Sequence, residues 1–261
     1  MKFTERYGPW ALIAGASQGI GAAFARALAR RGVSLVLLAR RLGPLEELAG
    51  ELRALGVEVR TLPIDLGSES IESEVAEATK DLAVGLLVCN AAVSLVSPLT
   101  ELDSADLKRT IDVNVRAPLL LCRHFAPALL SRGHGGIVLM SSLAGLTASP
   151  FNAVYAGTKA FSLAFGESLW GELQPKGVDV LACIPGPTRT PAYEEVQTSR
   201  FPPAMDADQV AETALAALGK RTRVVPGWAN RLTAALVPRL PRPLGIRVIA
   251  SQTRKLSPRR K

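Results

Sequence analysis

The chain of 261 residues is 48% hydrophobic and 21% charged, which excludes a disordered or low-complexity polymer and leaves room for one sizeable α/β domain with a large core. Three cysteines, Cys89, Cys122 and Cys183, each inside an apolar run, suit free buried thiols rather than a disulfide framework, and two isolated histidines, His124 and His134, give no basis for a metal site. The formal net charge of +8 is uneven: from Thr213 onward there are 12 Lys and Arg and no Asp or Glu, so nearly all the basicity belongs to the tail.

The opening "MKFTERYGPW" lacks the run of about 7 to 15 apolar residues of a secretory signal, and no run of about 18 apolar residues marks a membrane span, so a cytoplasmic protein is expected. Strand-like runs then alternate with helical segments: "WALIAG", Ile20 to Arg31, "VSLVLLA", Pro44 to Leu55, "VEVRTLP", Ser68 to Lys80 and "GLLVCNAA". Leu45, Leu48, Leu52 and Leu55 form one apolar stripe of the second helix, as Ile20, Ala23, Phe24, Ala27 and Leu28 do of the first. Leu107, Ile111, Val115, Leu119 and Cys122 predict a long fourth helix. After it come "GGIVLM", a helix carrying Tyr155 and ending near Pro175, "VDVLACIPG", a Pro-rich loop, a helix from about Asp206 to Leu218, and "TRVVPG". This alternation predicts a single doubly wound Rossmann-type α/β domain, with a parallel sheet of about seven strands flanked by helices.

Between the first strand and first helix lies "AGASQGIG", with Gly15, Gly19 and Gly21 among Ser17, Gln18 and Ile20. Glycine is needed where the chain turns sharply out of a strand and where backbone must approach a pyrophosphate held at a helix N-terminus, so this loop is read as dinucleotide-binding. About 20 residues further on, where an acid would bond the ribose 2′-hydroxyl of NAD, the chain has Arg40 and Arg41, and a guanidinium suits a 2′-phosphate. NADP(H) is therefore expected in preference to NAD(H). Asp65, after the third strand, is either an acceptor at the adenine edge or a helix N-terminal residue. In "FNAVYAGTKAF", Tyr155 and Lys159 stand one helical turn apart on one face, so the ammonium can act on the phenol.

The order of the glycine loop, "CNAA", "VNV", "SS" and "YAGTK" resembles the short-chain dehydrogenases/reductases from about Tyr7 to Leu218, and the opening and the "VLLARR" segment are similar to the hydroxysteroid and long-chain 3-oxoacyl reductase branch. The resemblance implies strand order 3-2-1-4-5-6-7, a nicotinamide cofactor, hydride transfer between alcohol and carbonyl, and a homo-oligomer built through the long helices. It places a catalytic tetrad on Asn114 in "DVNVRAP", Ser142 in "LMSSLAG", Tyr155 and Lys159. Ser142 rather than Ser141 has the family's usual spacing to the tyrosine. Asn90 and Ala91 would line the cofactor, and Pro185, Gly186 and Thr188 in "PGPT" would close over the nicotinamide. Ala14 and Ala92 stand where the family often has Thr and Gly, which bears on cofactor affinity more than on reaction type.

Carbonyl reduction needs a proton for the forming alkoxide, and a free tyrosine, with a pKa of about 10, is a poor partner near neutral pH. Lys159 and the charge of an oxidised nicotinamide would favour the phenolate, Lys159 would also grip the nicotinamide ribose, and Ser142 would hold the substrate oxygen. Asn114 would hold a water for proton relay. Without the resemblance, Asn114 reads as a cap at a helix irregularity and Ser142 as a loop serine bonded to backbone.

Residues 1–225 are thus expected to form the catalytic unit, with a substrate loop over 187–205 in which Tyr193, Phe201 and Met205 would cover a lipophilic substrate, and 226–261 a basic, Pro-containing extension. A non-catalytic dinucleotide-binding regulator is the alternative. Nucleic acid is not an expected partner, since Trp228 is the sole aromatic residue from Thr213 onward. In the tail, Trp228, Leu232, Ala235 and Leu236 would share one helical face among arginines, either covering the domain or a partner copy, or lying peripherally on an anionic membrane.

Overall fold

The computed structural model describes residues 1–194 and 203–254. After a short helix α1 (Phe3–Tyr7), the chain runs β1 (Trp10–Ala14), α2 (Gly19–Ala29), β2 (Ser34–Leu38), α3 (Leu42–Arg53), β3 (Val59–Leu62), α4 (Ile71–Thr79) and β4 (Val84–Cys89). It continues through α5 (Ser104–Ile111), a π turn (Asp112–Arg116), α6 (Ala117–Arg132), β5 (Gly135–Met140), α7 (Ala153–Leu173) and β6 (Val178–Cys183). The last part holds β7 (Thr188–Arg189), α8 (Pro191–Glu194), β8 (Met205–Asp206), α9 (Ala207–Ala217), β9 (Arg223–Val224), α10 (Trp228–Leu236) and α11 (Arg242–Thr253).

Seven of these strands form one parallel sheet in the order β3-β2-β1-β4-β5-β6-β9. Both faces are covered, so the strands are near-continuous apolar runs whose alternate side chains enter two cores. Ile13, Leu35, Leu37 and Leu86 pack on one side with Phe24, Leu28, Leu45 and Leu215, while Leu12, Val36, Leu38 and Leu87 pack on the other with Ile71, Val75, Phe125 and Leu129. Each such side chain contributes about 1.5–3 kcal/mol by leaving water. Strand order reverses between β1 and β4, which opens a crevice at their C-terminal ends. No helix among the described residues is long and apolar enough to cross a membrane.

Two expected helix faces are corrected. Of the stripe Leu107, Ile111, Val115, Leu119, Cys122 only Cys122 is buried: Ile111 and Leu119 are 45% and 39% exposed, and Thr110, Val113, Ala117, Leu121, Phe125 and Leu129 are buried with Cys122 instead. The reason is the π turn between α5 and α6, whose extra residue rotates everything after it relative to a 3.6-residue period. Leu55 also leaves its stripe, because α3 ends at Arg53 and Leu55 is half exposed.

At the opposite end of the strands from the crevice, α1 is tied to β6 through a buried carboxylate. Asp179 accepts a hydrogen bond from Tyr7 Oη at 2.7 Å and one from Arg6 Nε at 2.6 Å. Burial and the Asp179 carboxylate push the Tyr7 phenol up, so it stays a donor at any ordinary pH. Replacing Tyr7 by Phe leaves Asp179 with one donor fewer, and chemical denaturation should show a loss of about 1–2 kcal/mol. An unchanged midpoint would mean that Arg6 alone satisfies the carboxylate.

Candidate active site

A cavity of about 420 Å³ fills the crevice. Its floor is the glycine loop. Gly15 has φ +87°, and a Cβ there would come within 2.7 Å of Ala91; a Cβ on Gly21 would come within 1.9 Å of the Gly15 carbonyl oxygen. Gly15 therefore permits the turn, and Gly21, which does not line the cavity, lets α2 seat against it. Asn90 Nδ2 donates to the Gly15 carbonyl at 2.8 Å and fixes the loop from β4. Gln18 stands at the helix N-cap without a side-chain cap bond, so the first backbone N–H groups of α2 open onto the cavity beside Ser17, Gly19 and Ile20. Arg40 and Arg41 form the opposite rim, and Arg41 Nη2 reaches Gln18 Oε1 at 3.1 Å. Uncapped N–H groups, a glycine cradle that a Cβ would fill and two guanidiniums fit an extended polyanion such as a dinucleotide.

Asp65 also lines this cavity, and it does not begin a helix, since α4 starts six residues later. Its carboxylate accepts from Gly67 N at 2.9 Å and from both Nη atoms of Arg109 at 3.0 and 3.2 Å. Burial pushes the Asp65 carboxyl up, but the bonds from Arg109 and Gly67 outweigh it and hold it below its ordinary value. Arg109 was missed in the sequence, where nothing links position 109 to position 65.

A second cavity of similar volume adjoins the first, and Ser94, Tyr155 and Thr190 wall both. Ser142 enters the second beside Tyr155 and accepts from Ala144 N at 3.2 Å. Ser141 turns the other way, donating to the Lys159 carbonyl at 2.7 Å, and so positions α7. Burial raises the Tyr155 phenol above its ordinary pKa of 10 and the neighbouring Ser142 hydroxyl draws it back in part. Lys159, only 4% exposed, donates from Nζ to the Met140 carbonyl at 2.8 Å, and its ammonium lies 5.6 Å from the Tyr155 ring centre. Burial pushes this ammonium down to about 8.

Asn114 sits in the π turn, buried and outside both cavities. Its Oδ1 accepts from Val93 N at 2.7 Å, and its Nδ2 donates to the Val93 carbonyl at 2.8 Å and to Thr158 Oγ1 at 3.0 Å. Its side chain is thus a clamp. Its backbone carbonyl has no α-helical donor, because residue 118 is proline and has no N–H.

The "PGPT" turn spans the two cavities, with Pro185 on the first and Gly186 and Thr188 on the second. Of the three apolar residues expected over the substrate, Tyr193 reaches the second cavity and Phe201 lies outside the described residues. Met205 does not take part: β8 pairs with β7, and Met205 packs against the core and Asn230, whose Nδ2 is 3.4 Å from its sulfur. A further wall comes from α10, α11 and the turn between them, through Thr233, Ala234, Val237, Pro238, Ile249 and Thr253. These were missed because a pocket face made of Thr, Ala and Val carries no motif.

A model of the short chain dehydrogenase family matches residues 9–200. The chain is 34% identical over 235 residues to a 7beta-hydroxysteroid dehydrogenase of Clostridium sardiniense, covering 88% of this chain and 90% of the relative. It is 32% identical to a very-long-chain 3-oxoacyl-CoA reductase-like protein of Arabidopsis thaliana, covering 92% and 80%. Among solved structures, a 7beta-hydroxysteroid dehydrogenase superposes with a TM-score of 0.90 at 28% identity, covering 95% of this chain and 99% of that one. A short-chain dehydrogenase from Sphingobium yanoikuyae in complex with NADPH gives 0.77 at 33% identity, covering 84% and 87%.

The buried lysine sets a pH signature. A lysine whose folded pKa is about 8, below the unfolded value near 10.4, opposes folding while it must be protonated, and the penalty fades as pH rises from about 8 towards 10. The stability of the wild type relative to Lys159→Met should therefore climb over that window, by at most about 1.4 kcal/mol per pH unit. Parallel stability curves for the two proteins would show that the ammonium is solvated.

Proposed function

The chain belongs to the short-chain dehydrogenase/reductase family, whose members use NAD(P), and we propose that it is an NADP(H)-dependent oxidoreductase acting on a carbonyl or secondary alcohol of an apolar molecule. The observation that carries this is the position of Tyr155, the common wall of a glycine-floored cavity with a basic rim and a second cavity lined by Leu143, Leu146, Val237 and Ile249. A steroid or long acyl chain suits such a lining, and the names of the relatives point the same way.

When bound, the nicotinamide supplies or accepts the hydride. In the reductive direction Tyr155 Oη gives a proton to the substrate oxygen as it becomes an alcohol, while the Ser142 hydroxyl donates to the same oxygen and holds it beside the phenol. Lys159 keeps a positive charge next to the resulting phenolate and would grip the cofactor ribose. Reprotonation needs a route from solvent, and the Asn114 carbonyl, which Pro118 leaves without its α-helical donor, is the group of that residue suited to hold a relay water. Gly15, Ser17, Gln18, Gly19 and Ile20 would carry the phosphates, and Asn90, Ala91, Pro185, Gly186 and Thr188 would frame the nicotinamide end. Association of copies through the long helices belongs to the same reading, and the outward Ile111 and Leu119 support it.

NADPH consumption should be followed against steroid ketones, 3-oxoacyl thioesters, aldehydes, quinones and sugars. Turnover is expected with the first two. Tyr155→Phe should bind NADPH nearly as the wild type does and lose turnover by three orders of magnitude or more, on the order of the 4 kcal/mol that a lost proton donor costs. Substantial activity in that variant would remove the phenol from the reaction; intact NADPH binding with no turnover of any ketone by the wild type would leave a dinucleotide-binding regulator.

Arg40, with Arg41 beside it, is the proposed reader of the 2′-phosphate. Arg40→Ala should weaken NADPH by about tenfold to a hundredfold, the 1.5–3 kcal/mol of a charge-assisted bond, and leave NADH nearly unchanged. Equal affinities for the two cofactors in the wild type would make both arginines surface residues.

A further inference from the structure

Helices α10 and α11 have two unlike sides. Inward, Ala229 and Asn230 are buried and Thr233, Ala234, Val237, Ile249 and Thr253 face the second cavity or the core around it. Outward, Trp228, Leu232 and Leu236 recur every four residues and are 69%, 47% and 54% exposed; Leu244 and Val248 repeat this on α11. Most large apolar side chains of this protein are buried, so a tryptophan and four aliphatic residues exposed on two successive helices form a surface that awaits a partner.

The charge on the same helices says which. Arg231, Arg239, Arg242, Arg247 and Arg254 stand among these residues, and among the described residues none of the five pairs with a carboxylate. No Asp or Glu occurs from Thr213 to the end of the chain. A second copy docked here about a two-fold axis would set this face against itself, arginine towards arginine with no acid between. An anionic lipid surface offers what the face lacks: negative headgroups for the guanidiniums and an acyl boundary for tryptophan and leucine. We propose that α10 and α11 dock this protein peripherally on an anionic lipid bilayer. Because their inner sides wall the second cavity, docking would set that cavity close to the lipid, from which an apolar substrate can enter. The docking itself does not depend on the reaction assigned above.

The test is flotation of the full-length protein with phosphatidylcholine vesicles, with and without about a third phosphatidylglycerol, at low and high salt. Retention is expected on the anionic vesicles at low salt and release at high salt. Trp228→Ser with Leu232→Ser and Leu236→Ser should weaken retention tenfold or more. Arg231→Gln with Arg239→Gln and Arg247→Gln should weaken it about a hundredfold, roughly fivefold per basic residue. Neither set touches the first cavity, so NADPH affinity should be unchanged in both and reports that the variants are folded. Two results would overturn the proposal: a wild type that binds NADPH but does not float with anionic vesicles at low salt, or a solution dimer that the serine set converts to monomer without any effect on vesicle binding.

Discussion

A single buried amide organises the centre of this molecule. Asn114 uses both ends of its side chain to hold Val93 by N–H and carbonyl, and a second proton to hold Thr158. Thr158 in turn donates to the Tyr155 carbonyl at 2.7 Å. The loop leaving β4, the π turn and the helix carrying Tyr155 and Lys159 are thereby joined through neutral hydrogen bonds in a place where an unmet polar group would cost about 1–3 kcal/mol. The π turn is what brings Asn114 to that position. It also rotates α6 against α5, so the irregularity that serves the site decides as well which residues of the long helix face solvent.

Around that clamp the site balances opposed demands. On the proposed reading Lys159 has to lie near Tyr155, yet burial there makes its charge costly. The protein meets this with one carbonyl acceptor from the end of β5 and with a cavity that opens the phenol to ligand on both sides. In the protein alone the Tyr155 phenol is harder to ionise than free tyrosine, despite the nearby ammonium. On the proposed reading, a phenol that stays protonated in the protein alone is suited to giving a proton in the reductive direction.

The C-terminal helices add a constraint of another kind. Asn230, almost fully buried, lies so close to Gly186 that a Cβ there would come within 2.2 Å of its Oδ1. The start of α10 therefore packs directly on the turn that bridges the two cavities. Thus the segment that reads as an appendage lines the same cavity as Ser142 and Tyr155.

How much of this was legible follows from the range of each interaction. The order of strands and helices, the glycine loop and the Tyr155–Lys159 pair are local or periodic features, and the chain states them directly: Leu35 and Leu37 alternate with Val36 and Leu38, and a lysine four residues after a tyrosine lies one helical turn away. The choice of Ser142 over Ser141 rests on the spacing that the family resemblance implies, and the structure turns Ser142 to the second cavity and Ser141 to the Lys159 carbonyl. The rest needed contacts between segments far apart in sequence. Arg109 meets Asp65 across 44 residues, Met205 turns from the cavity because β8 pairs with β7, and Ile111 faces solvent because of a π turn that hydrophobic period does not announce. The tail was the plainest case. Its composition fixed a basic, partly apolar segment, but a helix with threonine and alanine on one side and tryptophan and leucine on the other can be buried either way round. Only the shape of the second cavity, which takes the smaller side chains, decided that the larger ones face outward.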